Sequence, residues 1–163
     1  MFHRADGVVG LGKPPAGDRG EKRPLRVVFI LAGQSNMQGH GRNETGHGGV
    51  AGAMGSLFGA MLAEAGNEVW LYDVWLEHVQ TINQSGLQIE REGKTRTVEI
   101  KATIDPQQIG RAELVIIFVK SSRTNLAAET AQTIAGSDGL VMTLQNGMGN
   151  ADIIAGFIKP ERI

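Results

Sequence analysis

The sequence lacks cysteine, and this absence excludes several kinds of chemistry at once. Without thiols the chain has no disulfide framework, no thiolate nucleophile and no cysteine-ligated zinc site. Histidine is also scarce, because only four copies occur, at positions 3, 40, 47 and 78. None of them shows the His-x-x-x-His spacing that indicates a metal site, so we expect no bound metal.

An excess of either charge is also missing, since 16 Lys and Arg are balanced by 17 Asp and Glu. Such a balance argues against nucleic acid or an anionic membrane as a partner. The longest strongly apolar run, residues 27–32, is far too short to span a bilayer. Residues 1–24 are rich in Gly, Pro, Arg and Lys and contain no apolar segment of signal-peptide length. We expect a soluble, cytoplasmic protein with a disordered leader over 1–24.

Short β-branched runs that alternate with helical patterns indicate the fold class. A chain of 163 residues is long enough for one well-packed domain. Runs 26–32 and 114–119 have the composition of buried parallel strands. Alternating strands and helices predict an α/β fold, a Rossmann-like parallel sheet flanked by helices over 26–163. The other predicted elements are helices at about 53–65, 74–85, 124–135 and 151–157, strands 68–73 and 140–144, a hairpin of 87–90 with 95–101, and a short helical turn within 102–112.

The stretch around residues 50–66 has the plan of a dinucleotide-binding unit. A glycine turn, Gly52-Ala-Met-Gly55, leads into a helical pattern, and the next apolar run ends on Asp73. In such units the turn amides and the helix dipole hold a pyrophosphate. Asp73 follows Gly52 by about 20 residues, the distance at which an acid accepts the ribose 2′-hydroxyl of NAD. Residues 33–51, before the turn, are predicted to form an atypical glycine-rich loop.

Five motifs in order make the chain from Gly52 onward resemble the N-terminal domain of ketopantoate reductases (2-dehydropantoate 2-reductases). They are Gly-Ala-Met-Gly-Ser-Leu-Phe-Gly-Ala (52–60), Gly-Asn-Glu-Val-Trp-Leu-Tyr-Asp (66–73), Ile-Asn-Gln-Ser-Gly-Leu (82–87), Phe-Val-Lys-Ser (118–121) and Thr-Leu-Gln-Asn-Gly-Met-Gly-Asn (143–150). The resemblance implies hydride transfer from NADPH to the keto group of 2-dehydropantoate, which gives pantoate for coenzyme A synthesis.

The resemblance also implies which residues bind the cofactor. Gly52 and Gly55 match the second and third fingerprint glycines, the first for backbone approach to the pyrophosphate and the second for close helix packing, with Ala53 and Met54 between them. Lys120 matches a lysine facing the cofactor and substrate cleft. Asn146 matches an asparagine on the nicotinamide side. The same two side chains also fit simpler roles, a solvated strand-end charge and an Asn-Gly turn. The implied cofactor is NADP, and Asp73 keeps NAD open.

The chain departs from the family pattern at two places. Val50 occupies the position of the first fingerprint glycine, and the family's first strand does not run directly into the turn. We therefore predict that 26–32 replaces that strand at the centre of the parallel sheet. We also expect the helical C-terminal catalytic domain to be absent, so that the domain binds a nicotinamide dinucleotide without turnover. A 2-keto acid would bind only if that domain were supplied, and the surface it covers could otherwise support self-association.

Residues 26–41 carry a second resemblance. Their Gly-Gln-Ser-Asn-Met block is similar to the nucleophile block of SGNH-type carbohydrate esterases related to sialate O-acetylesterase, which would make Ser35 the nucleophile. Those esterases supply the base from an Asp-x-x-His block, and this sequence contains none. The alternative function is therefore an esterase fragment that uses Ser35. The two resemblances meet near 42–51, as in a fused, frameshifted or designed chimeric chain.

Overall fold

The computed structural model describes residues 23–31, 50–91 and 94–163. Within these residues seven strands and four α-helices are formed. The strands are β1 (Arg26–Leu31), β2 (Glu68–Tyr72), β3 (Leu87–Arg91), β4 (Lys94–Val98), β5 (Lys101–Thr103), β6 (Leu114–Phe118) and β7 (Leu140–Thr143). The helices are α1 (Val50–Glu64), α2 (Leu76–Ser85), α3 (Thr124–Ala135) and α4 (Asn150–Ala155). The prediction of a Rossmann-like parallel α/β fold is confirmed.

Strand β1 occupies the centre of a five-stranded sheet with the order β5-β2-β1-β6-β7, in which every pair is parallel. On one side Arg26 pairs with Glu68, and on the other Val27 pairs with Leu114. Residues 27–31 are at most 2% exposed, as their β-branched and aromatic composition predicts. The prediction that 26–32 stands in the middle of the sheet carrying 114–119 is confirmed for 26–31. Ala32 lies outside the described residues.

The two faces of the sheet bury separate clusters, because successive strand side chains point to opposite faces. Val28 and Ile30 of β1 belong to the cluster that includes the buried alanines of α3 and Ile154 of α4. Phe29 and Leu31 belong to the other cluster, beneath α1, α2 and the β3–β4 hairpin. The sheet is therefore the middle of three layers. Among the described residues no helix is both long and apolar enough to cross a membrane.

Helix α1 begins earlier than predicted. The structure places Val50 as the first helical residue, so 50–52 are helical rather than loop, and Gly52 lies in the first turn. The sequence offers no Ser, Thr, Asp or Asn directly before the helix to mark its start. At its other end α1 stops at Glu64, and Gly66 has the positive φ of 89° that is common just after a helix.

The predicted hairpin 87–90 with 95–101 is only partly right. Strands β3 and β4 do pair antiparallel, from Leu87 opposite Val98 to Arg91 opposite Lys94. Residues 101–103 instead form an edge strand parallel to β2, which corrects both the end of the hairpin and the predicted helical turn over 102–112. The Asn83 side chain holds this strand, since its amide donates to the Ala102 carbonyl (2.8 Å) and accepts from the Ala102 N–H (3.0 Å). Within residues 102–112, helical geometry is limited to one 3₁₀ turn, Pro106–Gln108.

Candidate functional site

The carboxyl ends of β1, β2 and β6 surround an open cleft. Strand order reverses at this point, because the chain continues from β1 to one side through β2 and to the other through β6. Open α/β sheets bind ligands at such a switch point, outside the carboxyl ends of the strands. The cleft is open to solvent. It is lined by Ile30, Leu31, Tyr72, Val74, Val119, Arg123, Leu126, Ala127 and Thr130.

Asp73 lies directly after β2, between the cleft-lining residues Tyr72 and Val74. Its carboxyl group is buried, with the side chain only 4% exposed. Oδ2 is 3.0 Å from Nδ1 of His78, and Oδ1 accepts the Trp75 N–H at 3.3 Å. Contacts with α2 and with the turn before it therefore fix Asp73 at the edge of the cleft. Asp73 lies at the end of β2, as the sequence predicted. Contact with a ribose stays a prediction.

Lys120 and Asn146 belong to two segments that the structure brings together. Lys120 follows β6 and precedes a 3₁₀ turn at Ser121–Arg123, while Asn146 follows β7. The Ser121 hydroxyl contacts the Asn146 carbonyl at 3.5 Å, and both Lys120 and Asn146 are exposed. Both segments thus lie at the carboxyl edge of the sheet, where the sequence placed them. That either side chain contacts a cofactor stays a prediction.

The Gly55 position confirms one part of the glycine prediction, the close packing of helix and sheet. A Cβ at this buried position would lie closer to Leu31 Cδ2 than van der Waals contact allows. It would also lie 3.3 Å from Phe118 Cβ. A larger residue would therefore require the Leu31 side chain to move, so glycine favours the close approach of α1 to the ends of β1 and β6. Next to it Ser56 Oγ is buried with no hydrogen-bond partner in the described part of the chain. Met54 is exposed, and cofactor contacts by Gly52, Ala53, Met54 and Gly55 stay predictions.

Arg123 is a residue of the cleft that was not predicted from the sequence. Arg123 lies just before α3 and lines the cleft opposite Tyr72 and Val74. Among the described residues it is the one charged side chain in the cleft lining. No motif marks it, because its place depends on how α3 packs across the sheet. An apolar cleft with one cationic side chain and a nearby fixed acid fits a flat aromatic group linked to a sugar and phosphates.

Several predicted features lie outside the described residues. They include the leader as far as residue 22, the loop 33–49 and Ser35. The esterase interpretation of Ser35 therefore stays a prediction. Where the structure is described, no group of three or more His, Asp and Glu side chains is arranged to hold a metal ion.

The family model for ketopantoate reductase PanE/ApbA matches residues 51–163. The chain belongs to the ketopantoate reductase family. Curated relatives include the 2-dehydropantoate 2-reductases of Lactococcus lactis, 34% identical over 117 residues, and of Halobacterium salinarum, 34% identical over 114 residues. Each of these alignments covers 69% of this chain and 37% of the relative. The chain thus spans less than two fifths of the length of these family members.

Solved structures with similar folds include one ketopantoate reductase and one dehydrogenase with bound NADH. The ketopantoate reductase from Ralstonia eutropha superposes with a TM-score of 0.66 at 32% identity. A ternary structure of D-mandelate dehydrogenase with NADH and anilino(oxo)acetate gives a TM-score of 0.64 at 33% identity. Both matches cover 83% of this chain and 39% of the other. These matches therefore cover more residues than the range 51–163 contains. The structural likeness thus extends upstream of residue 51, towards β1.

Proposed function

We propose that this chain provides the dinucleotide-binding half of a ketopantoate reductase-like oxidoreductase, with a nicotinamide dinucleotide in the switch-point cleft. The observation that supports the proposal is a cleft at the carboxyl ends of β1, β2 and β6, where the strand order reverses. Asp73, Lys120 and Asn146 follow β2, β6 and β7 at this same edge of the sheet. The bound NADH of the D-mandelate dehydrogenase relative supports it.

The chemistry of the cleft indicates how the dinucleotide would be oriented. The apolar walls at Val74, Leu126 and Ala127 suit the adenine ring, and the Arg123 guanidinium can stack on it or meet its phosphates. Asp73 lies at the end of β2, where the adenosine ribose binds in such folds. The nicotinamide end would then extend towards the segments of Lys120 and Asn146. When bound, the cofactor supplies the hydride, and this domain supplies binding and orientation.

The sequence resemblance implied NADP and left NAD open, and the surroundings of Asp73 favour NADH. A buried carboxylate held by His78 and by the Trp75 N–H cannot turn away from a ligand without losing both contacts. Its negative charge would repel a 2′-phosphate in a partly desolvated site. Arg123 is the cation that could offset this repulsion, and it lies on the α3 side of the cleft. We therefore propose tighter binding of NADH than of NADPH.

Reduction of a 2-keto acid is the reaction that the family names suggest, with 2-dehydropantoate as substrate in the curated relatives. We propose this activity, and with it a cytoplasmic role in pantothenate synthesis, for a protein in which a substrate-binding domain completes the cleft. The described residues provide a lysine and an amide at the nicotinamide end.

Isothermal titration of the full chain with NADH, NADPH and AMP tests the proposal. We expect NADH to bind, with NADPH weaker by about tenfold, a difference of about 1.4 kcal/mol. AMP should bind more weakly than NADH and compete with it, because it occupies only the adenosine part of the cleft. The absence of heat with all three ligands at millimolar concentration would contradict dinucleotide binding. Equal affinity for NADH and NADPH would contradict the role given to Asp73.

A further inference from the structure

Three polar side chains form a closed hydrogen-bond network beneath the segments that carry Lys120 and Asn146. Gln145 Nε2 donates to the Val119 carbonyl (2.7 Å) and to Thr124 Oγ1 (2.9 Å). Thr124 Oγ1 donates to Asn150 Oδ1 at 2.9 Å. Asn150 Nδ2 in turn contacts the Asn146 and Gly147 carbonyls, each at 3.2 Å. The network thus joins the end of β6, the start of α3, the turn after β7 and the start of α4.

The direction of every bond in this network is fixed by the groups involved. Each amide nitrogen has two N–H donors, and both are used in Gln145 and in Asn150. Gln145 Oε1 accepts from the Thr143 hydroxyl at 2.9 Å, so neither end of that side chain can flip without loss. Thr124 is fully buried and Asn150 is 4% exposed. A buried, fully satisfied polar network specifies one arrangement, because any other leaves polar groups unpaired.

The network holds two exposed segments, the Lys120 segment and the Asn146 turn, which have little apolar packing of their own. Residues 144–149 are partly or fully exposed, and the turn uses left-handed glycines at Gly147 (φ 102°) and Gly149 (φ 88°). Lys120 is exposed as well. Their relative position therefore depends on polar contacts more than on burial. These are the bonds from Gln145 and Asn150 and the 3.5 Å contact between the Ser121 hydroxyl and the Asn146 carbonyl. Apolar side chains at Thr124 and Asn150 could fill the space but could not set the position of the Asn146 carbonyl.

We propose that Gln145, Thr124 and Asn150 are positioning residues that hold the Lys120 segment and the Asn146 turn as one unit for the nicotinamide end of the dinucleotide. This inference rests on the proposed function and deepens it. None of the three side chains needs to touch the ligand. They act through Lys120 and Asn146, whose spacing they fix.

The test compares ligands with and without the nicotinamide. Thr124→Val keeps the shape of the side chain and removes the hydroxyl, and Thr124→Ser restores it. We expect Thr124→Val to weaken NADH binding by about fivefold while ADP-ribose binding changes by less than about twofold, with Thr124→Ser close to the original protein. Equal loss for NADH and ADP-ribose would indicate a general structural role and overturn the inference. Unchanged NADH affinity would overturn it too.

A second variant covers the case in which Thr124→Val does not fold. Gln145 is only half-buried, so Gln145→Met should leave the core intact while removing both donors to Val119 and Thr124. The same ligand pair is then measured with this variant. The same shift, weaker NADH with ADP-ribose retained, is expected, and equal loss of both ligands overturns the inference.

Hydrogen exchange without ligand separates this inference from the proposed function. In Gln145→Met we expect the amides of 119–121 and of 145–149 to exchange faster together, with those of β1, β6 and α3 unchanged. Faster exchange in only one segment would show that the network does not couple them, and no change in either would also overturn the inference. If the original chain binds no NADH, the proposed function fails whatever the exchange data show.

Discussion

The Arg26 guanidinium donates to the Glu68 carboxylate at the first paired position of β1 and β2, with Nε 2.9 Å from Oε2. Lys101 of β5 contacts the other oxygen at 3.1 Å, and Trp70 Nε1 lies 3.3 Å from it. These contacts, the Arg26 hydrogen bond first, lower the pKa of Glu68 from 4.5 to about 2. The cluster joins three parallel strands at their amino ends, at the sheet edge opposite the cleft.

The lowered pKa of Glu68 predicts a pH-dependent contribution to stability. A carboxyl group with a pKa below its unfolded value stabilises the fold above about pH 4.5, and the contribution is lost as the pH falls towards 2. We expect Glu68→Gln to reduce the free energy of unfolding by about 0.5–1 kcal/mol at pH 7, a modest value because the ion pair is partly exposed. The difference in the free energy of unfolding from the original protein should shrink between pH 4.5 and 3.

Urea unfolding at several pH values measures this difference, with Glu90→Gln on the exposed hairpin as control. A difference that stays constant over this range would contradict the assignment.

Substitution of Gly55 should be more costly than substitution of Gly59 in the same helix. A methyl at Gly55 would overlap Leu31 and approach Phe118 to 3.3 Å, whereas at Gly59 the nearest atom, Leu71 Cδ2, is 3.0 Å away. We expect Gly55→Ala to destabilise the domain by about 1–3 kcal/mol through overpacking. Gly59→Ala should cost less, because the gain in helix propensity is similar at both positions while the crowding at Gly59 is smaller. Denaturant unfolding of both variants gives the order, and the reverse order would contradict the packing at Gly55.

Removing the charge of Asp73 should change cofactor selectivity more than affinity. In Asp73→Asn we expect NADPH binding to improve relative to NADH by about tenfold, because repulsion of the 2′-phosphate is relieved. Asp138→Asn is the matched control, since Asp138 is exposed and precedes β7 at the opposite edge of the sheet. Titration with both dinucleotides measures the ratio. An unchanged ratio would place the ribose away from Asp73.

The role of Arg123 predicts a uniform loss across adenine nucleotides. Arg123→Gln should weaken AMP, ADP-ribose and NADH by a similar factor, about three- to tenfold, because all three share the adenosine and a phosphate. Arg111→Gln serves as control, as Arg111 precedes β6 and lies beside Gly136, away from the cleft. Calorimetric titration suits all three ligands. A loss confined to NADH would assign Arg123 to the nicotinamide end instead.

The parts of the fold that sequence could predict are those in which composition decides the structure. β1 and β6 are runs of five or six residues dominated by Val, Ile, Leu and Phe, and both are central and buried. The alanine-rich composition of α3 was equally informative, and Ala127, Ala128 and Ala131 face the sheet. Asp73, Lys120 and Asn146 could be placed at one edge because each follows a parallel strand.

The parts that could not be predicted depend on contacts between distant residues. Strand β5 has only three residues, and it is a strand because Asn83 and β2 bind it. Arg123 lines the cleft only through the packing of α3. Thr124 and Asn150 are 26 positions apart, and neither has a local pattern that indicates the other. Such pairings become visible only when the strand order is known.

The central place of β1 has a practical consequence for anyone who dissects this domain. The family-model match begins at residue 51, yet the sheet takes its middle strand from residues 26–31. A fragment cut at the start of that match would keep β2 with β5 on one side and β6 with β7 on the other, and among the described strands β1 is the one that joins these two pairs. We therefore expect a fragment with these boundaries to be unfolded, and a fragment that folds should start at or before Arg26.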